Sequence, residues 1–125
     1  METVFYTLII LFSKHLLADF FLQPQEMAIA KKNSLAILTI HCLVHWVATT
    51  AILLAINWLW FPISAKLLVL VPVLDAGSHW LIDFVTSRMN KVRGWTPEHR
   101  PFWLNMGIDQ YAHYIIYIVI SSILV

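Results

Sequence analysis

Four long stretches of the chain are apolar almost throughout, and each is bounded by a polar or proline-bearing segment. A helix that crosses a bilayer needs about 20 mainly apolar residues. The first such stretch covers about 3–22 and ends at Gln23-Pro24. The second covers about 35–60, with Ser34 placed to cap its start and Pro62 to stop it. The third covers about 64–89 and contains Pro72, which either kinks one helix or marks where the helix proper begins, leaving 64–71 as a separate piece. The fourth covers about 102–124. The pattern predicts an all-α polytopic membrane protein, a single domain over residues 1–125 built as an antiparallel bundle of about four transmembrane helices.

Composition agrees with that reading. Apolar residues make up 60% of the chain and charged residues only 12%, against about half and a quarter in soluble domains. The mean hydropathy is +0.75, more apolar surface than one small soluble core can hide, so the lipid bilayer is the expected partner. A net charge of +1 gives nucleic-acid binding no global electrostatic support, and none is expected. The lone Cys42 excludes an intramolecular disulfide. The N-terminus lacks the basic segment and small-residue cleavage site of a secretory signal, so the first apolar run reads as a retained helix.

Basic residues orient the bundle. Lys31 and Lys32 follow the first helix, and Arg88, Lys91, Arg93 and Arg100 flank the loop after the third; Lys66 stands alone on the other side. Short loops rich in Lys and Arg stay in the cytoplasm. Segments 23–34 and 90–101 are therefore expected to be cytoplasmic and both termini outside. Trp95 and Trp103 suit the cytoplasmic interface, and Trp58 and Trp60 the outer one. Lys14, inside the first helix, either snorkels to the interface or pairs with an aspartate.

The chemistry lies in a spacing. His15 and Asp19, His41 and His45, His79 and Asp83, and Asp109 and His113 place one i, i+4 pair on each helix, and Asp75 precedes His79 by four. Residues so spaced share a helical face. The set takes every aspartate and all histidines but His99. In an up-down bundle all four pairs lie near the cytoplasmic ends, within about 5 to 20 Å of that boundary at about 1.5 Å per residue. Unrelated polar residues have no reason to agree in depth across antiparallel helices. Ionisable groups inside a membrane face the bundle interior or an aqueous cavity, and gathered aspartates repel one another unless protonated or neutralised.

A divalent transition metal supplies the neutralisation. Mixed imidazole and carboxylate donors suit Zn first, with Mn, Fe, Ni or Co as alternatives. The nine candidate ligands are His15, Asp19, His41, His45, Asp75, His79, Asp83, Asp109 and His113, with Asp75 also the candidate general base. They exceed the four donors of a structural zinc site and suit one or two ions, as helix bundles build from inward pairs. A lone histidine in a membrane helix is more often a hydrogen-bonding partner than a ligand; agreement of the whole set in depth and facing weighs the other way. His99 reads as a loop histidine and Cys42 as packing. Gly77 either eases a helix crossing or loosens the helix near Pro72. Gln23 and Tyr117 extend the polar stripes by a turn, as supports for ligands or as ordinary interhelical bonds. Arg88, Lys91, Arg93 and Arg100 either only mark topology or also attract an anionic lipid or phosphorylated substrate.

The strings His15-Leu-Leu-Ala-Asp19-Phe-Phe-Leu-Gln23, His41 to His45, His79-Trp-Leu-Ile-Asp83 and Asp109-Gln110-Tyr-Ala-His113 together resemble an uncharacterised domain-of-unknown-function family of short integral membrane proteins of bacteria and their phages. The resemblance covers nearly the whole chain and implies the bacterial inner membrane; it supplies no activity. A looser similarity is to bacterial inner-membrane proteins described as metal-dependent hydrolases. Soluble all-helical phosphohydrolases with histidine-aspartate sites are similar only in chemistry, because their adjacent His-Asp dipeptide is missing here.

The leading expectation is a membrane-embedded metal-dependent hydrolase that activates water against a phosphoester, lipid-linked or nucleotide-like, from the cytoplasmic side. A divalent-metal or proton transporter is the alternative, opposed by the apolar outer half of each helix. A third is a bacterial or phage interaction protein with a structural metal site, and a second copy of the chain is a candidate partner. A redox di-iron enzyme ranks lower, and haem ligation leaves most of the cluster unused.

Overall fold

The computed structural model describes residues 2–125. It is all-helical, with no strand among the described residues. Helix α1 spans Glu2–Leu16 and continues as a π-helical turn over Leu17–Phe21, where Leu22 N donates to Leu17 O at 2.8 Å. Helix α2 spans Gln25–Ala30, α3 Leu35–Leu59, α4 Ala65–Arg93 and α5 Arg100–Leu124.

Local chemistry explains most boundaries. Pro24 ends the first helix and α2 starts directly after it. Ser34 Oγ accepts from Ile37 N at 3.3 Å and Ser64 Oγ from Leu67 N at 3.4 Å, so a serine caps both α3 and α4. Asn57 Oδ1 accepts from Ile63 N at 2.7 Å and ties down the tight connection around Pro62. Residues 64–71 are not separate: α4 runs unbroken through Pro72, seven residues after its start, and passes the expected end at 89 to stop at Gly94, whose φ of 64° is left-handed. Pro101, in the first turn of α5, removes a donor that has no helical partner there. Segment 23–34, read as a polar loop, contains α2, a short helix with no buried residue whose apolar periodicity is too brief to see.

Three helices are long and apolar enough to cross a membrane: Glu2–Phe21, Leu35–Leu59 and Ala65–Arg93. Helix α5 has the length, but Asn105, Asp109, Gln110 and His113 make its first half polar. In the packing, α1 touches α3 and α5, and α4 touches the same two, so α1 and α4 lie on one diagonal. Large apolar side chains cover the outside, among them Phe5, Trp58, Val69, Leu81 and Ile108. This surface inverts the soluble pattern and suits lipid.

The interior is layered along the bundle. At one end Leu11, Leu53, Ile56, Val71, Ile120 and Leu124 form an apolar core, with the hydroxyls of Thr7 and Ser121 buried at the same end and bonded to backbone carbonyls. A turn further along each helix come Lys14, Thr49, Asp75 and Tyr117, all buried. Beyond them lie the five helical histidines with Asp19 and Asp83. Gly77 belongs to no tight crossing: a Cβ built there meets nothing within 4 Å.

Candidate metal centre

Each helix delivers its pair to one place. His15, His41, His45, His79 and His113 are at most 2% exposed, and Asp19 and Asp83 are also buried. The π-helical turn carries Asp19 and widens the helix where its carboxylate enters the cluster; such turns recur at functional sites. His79 Nδ1 is buried without a hydrogen-bond partner, and its Nε2 is the atom that faces the other ligands.

Four atoms stand out. His41 Nε2 and His79 Nε2 are 3.1 Å apart. Asp19 Oδ1 lies 3.2 Å from the first and 3.4 Å from the second. Asp83 Oδ2 lies 3.5 Å from each. Ligands at 2.0–2.1 Å around a tetrahedral ion are spaced about 3.3–3.4 Å apart. The five separations, 3.1 to 3.5 Å, match ligand spacings around such an ion; His41, His79 and Asp83 form one group of ligand atoms, and Asp19 groups with His15, His45 and His79. Two imidazoles and two carboxylates are a donor set for zinc and its neighbours.

A second group adjoins the first through Asp83. Its Oδ1 is 3.4 Å from His113 Nε2, which is 3.6 Å from Asp109 Oδ2. Asp83, Asp109 and His113 can offer one ion three ligand atoms, as His41, His79 and Asp83 can offer another. Asp83 thus turns one oxygen to each position. His15, Asp19, His45 and His79 form a further overlapping group.

The supporting layer separates histidines by role. Lys14 Nζ reaches Asp75 Oδ2 at 2.6 Å, Tyr117 Oη at 3.0 Å and His45 Nδ1 at 3.3 Å. An ammonium only donates, so His45 Nδ1 accepts and the ring proton sits on Nε2, which donates to Asp19 Oδ1 at 2.8 Å. His45 therefore holds the Asp19 carboxylate. His15 Nε2 lies 3.2 Å from Gln110 Oε1, which accepts from it, and His15 Nδ1 lies 3.1 Å from Tyr117 Oη. Gln110 Nε2 donates to Asp109 Oδ2 at 3.1 Å, and Thr86 Oγ1 donates to Asp109 Oδ1 at 2.6 Å.

Of the nine expected ligands, eight converge and Asp75 does not. Asp75 accepts from Lys14 and from Thr49 Oγ1, one layer deeper, and stands in none of the ligand groups. Lys14 pairs with it instead of snorkelling. Tyr117 bonds Lys14 and His15, whereas Gln23 Nε2 reaches only the Asp19 carbonyl. His99 accepts from Thr96 N within its own loop, and Cys42 is buried. Thr49 and Thr86 were not singled out from sequence, and Gln110 and Lys31 were named there only within a motif and as a topology signal; Thr49 continues the His41–His45 stripe by four, and a stripe search extended to hydroxyls finds it.

Lys31 Nζ donates to Asp83 Oδ2 at 2.7 Å. Burial alone lowers its pKa, but the charge and hydrogen bond of Asp83 outweigh burial and hold it above the ordinary lysine value. Lys31 and Lys32 line a cavity of about 710 Å³ whose floor includes Asp19, Asp83 and Asp109. Lys91, Arg93 and Arg100 do not line it; Arg88 lies over the Phe84 ring and borders a separate recess of about 20 Å³.

The chain belongs to the family described as "Protein of unknown function (DUF3307)", whose model matches residues 7–125. No curated protein and no solved structure matches it.

Proposed function

We propose that this member of that family is a membrane-embedded, metal-dependent hydrolase acting on a phosphoester from the cytoplasmic side. The observation that carries the reading is the group of His41, His79 and Asp83, with Asp19 within 3.4 Å of both histidines, joined through Asp83 to a second three-ligand group with Asp109 and His113. The cavity floor of Asp19, Asp83 and Asp109 borders both groups, and Asp109 belongs to the second alone, so water and substrate entering the cavity would reach an ion held there. Zinc suits these donors best, with Mn, Fe, Ni or Co as alternatives.

Ions held there supply Lewis acidity and a water that ionises near neutral pH. The residues do the rest. Asp83 spans both positions, His45 and Gln110 hold Asp19 and Asp109 in place, and Thr86 adds a donor to Asp109. Hydrolysis adds water oxygen to phosphorus, breaks the ester P–O bond and returns a proton to the departing oxygen. Asp75, the candidate general base on spacing, is paired with Lys14 and does not line the cavity, so this reading gives it no part in the chemistry.

The topology belongs to the same reading: four spanning helices (α1, α3, α4 and α5) in the bacterial inner membrane, both termini outside, and the cavity end facing the cytoplasm. The apolar core of Leu11, Leu53, Ile56, Val71 and Ile120 closes the other end, which favours an enzyme over a transporter.

The test is metal analysis of purified protein beside a His79→Ala, Asp83→Ala double variant, followed by a phosphoester panel with each. Stoichiometric metal and metal-dependent phosphate release in the native protein, both lost in the variant, are expected. Native protein without bound metal overturns the reading.

A further inference from the structure

The cavity above the cluster has a shape and lining of its own. Its volume, about 710 Å³, is that of a pocket for one drug-sized ligand, about 300–1,000 Å³. The floor is acidic, with Asp19, Asp83 and Asp109, and Lys31 and Lys32 stand beside it. Part of the wall is apolar. Phe20 of the first helix, Ile29 of α2 and Met106 of α5 line the cavity and are 58%, 55% and 37% exposed. A wholly aqueous cleft places polar side chains at its rim. Here apolar residues with much accessible surface form part of the wall of an open cavity, beside its polar floor.

Helix α2 contributes to the same boundary. It has no buried residue, and Ala28 and Ile29 turn to the cavity while Lys31 and Lys32 follow at once in sequence. Cation and apolar surface are thus adjacent, as an amphiphile with an anionic head requires. Trp95 and Phe102 add aromatic surface between the polar floor and the outside, the level at which amphipathic rings sit in a membrane.

We propose that the cavity takes an amphiphilic phosphoester, its phosphate taking over the Lys31 ammonium that donates to Asp83 here, and its hydrocarbon chain leaving past Phe20, Ile29 and Met106 into the bilayer. This rests on the hydrolase reading above, because ions are what make an acidic floor receptive to phosphate, and it narrows the substrate from phosphoesters in general to lipid-linked ones. A chain that stays in the membrane gains nothing from burial; the benefit is delivery along the bilayer plane at high local concentration.

The test uses the metal-loaded full chain in nanodiscs containing a trace of a single-chain alkylphosphonate, the uncleavable analogue of a phosphomonoester, with a diazirine on its chain. Photolysis and peptide mass spectrometry then locate the adducts. Adducts at Phe20, Ile29 or Met106 are expected. A large excess of the unlabelled phosphonate, competing for the same site, should suppress them at least about ten-fold. The alcohol of the same chain and a nucleoside monophosphate should leave them unchanged. Adducts spread over Val69, Val73 and Leu81 without competition overturn the inference, as does equal suppression by the alcohol or by the nucleotide. Metal content measured on the same sample separates the two claims. Bound metal without competed labelling sinks the lipid assignment alone, whereas absence of both metal and labelling sinks the hydrolase reading with it.

Discussion

Lys14 of α1 and Asp75 of α4 form an ion pair across the diagonal of the bundle, Nζ to Oδ2 at 2.6 Å, with both side chains 2% exposed. Thr49 gives Asp75 a second donor, and Tyr117 takes another of the Lys14 protons. Removing one partner of a buried pair leaves an uncompensated charge and costs about 3–5 kcal/mol, whereas an apolar replacement of both is often neutral. Lys14→Met is expected to lower unfolding stability by that amount in detergent micelles, and Lys14→Met with Asp75→Leu to recover most of it. A double variant no more stable than the single one would show that the pair is not what the layer depends on.

The same lysine fixes what His45 does. Because Lys14 donates to His45 Nδ1, the proton on Nε2 goes to Asp19. A glutamine amide can make that donation too, but it is a poor substitute for an imidazole that binds metal. His45→Gln is therefore expected to keep most of the bound metal, and His79→Gln to lose at least about ten-fold in affinity, a typical cost of disturbing a metal site. Elemental analysis after dialysis against a metal buffer checks this. Similar losses in both variants would return His45 to the ligand set.

How far the chain discloses itself differs from residue to residue. The long helices follow from runs of apolar residues, and the convergence of eight polar ones from i, i+4 spacing. Asp75 shows the limit: it shares a face with His79 and Asp83, but spacing along one helix cannot say that Lys14 of another helix reaches it first. The π-helical turn at Leu17–Phe21 was illegible, since one added backbone residue leaves no mark in hydrophobic periodicity. Helix α2 is too short for any period to appear. The cavity depends on where α2 rests against the bundle, a matter of tertiary contact. Its cations are Lys31 and Lys32, while the larger basic group around Arg93 stays outside it.

Two glycines are expected to respond oppositely to alanine. Gly94 closes α4 with φ at 64°, its N–H directed to Asn90 O and Lys91 O, and Trp95 N bonds Asn90 O at 2.9 Å. A side chain in that conformation costs about 1–2 kcal/mol. Gly77 lies mid-helix with open space where a Cβ would go, and alanine there gains up to about 1 kcal/mol of helix propensity. Thermal unfolding in one detergent should therefore place Gly94→Ala below the native protein and Gly77→Ala level with it or above. Marked destabilisation by Gly77→Ala would reveal a close contact absent from this packing.

Asp83 faces both proposed ion positions, whereas His113 faces only the one that it shares with Asp109. Oδ2 of Asp83 is 3.5 Å from His41 and His79, and Oδ1 is 3.4 Å from His113. Losing a shared carboxylate should weaken both positions; losing His113 should weaken one. His113→Ala is expected to fall from about two ions per chain to about one, with phosphoester hydrolysis abolished because the position reaching the cavity through Asp109 is the one removed. Asp83→Ala should retain less than about one. His99→Ala should change neither metal content nor activity, since His99 bonds only Thr96 within its loop. Stability of each variant is read in parallel by unfolding, so that lost metal is not confused with lost fold. If His113→Ala and Asp83→Ala shed the same amount of metal, the carboxylate is not shared and the centre holds a single ion.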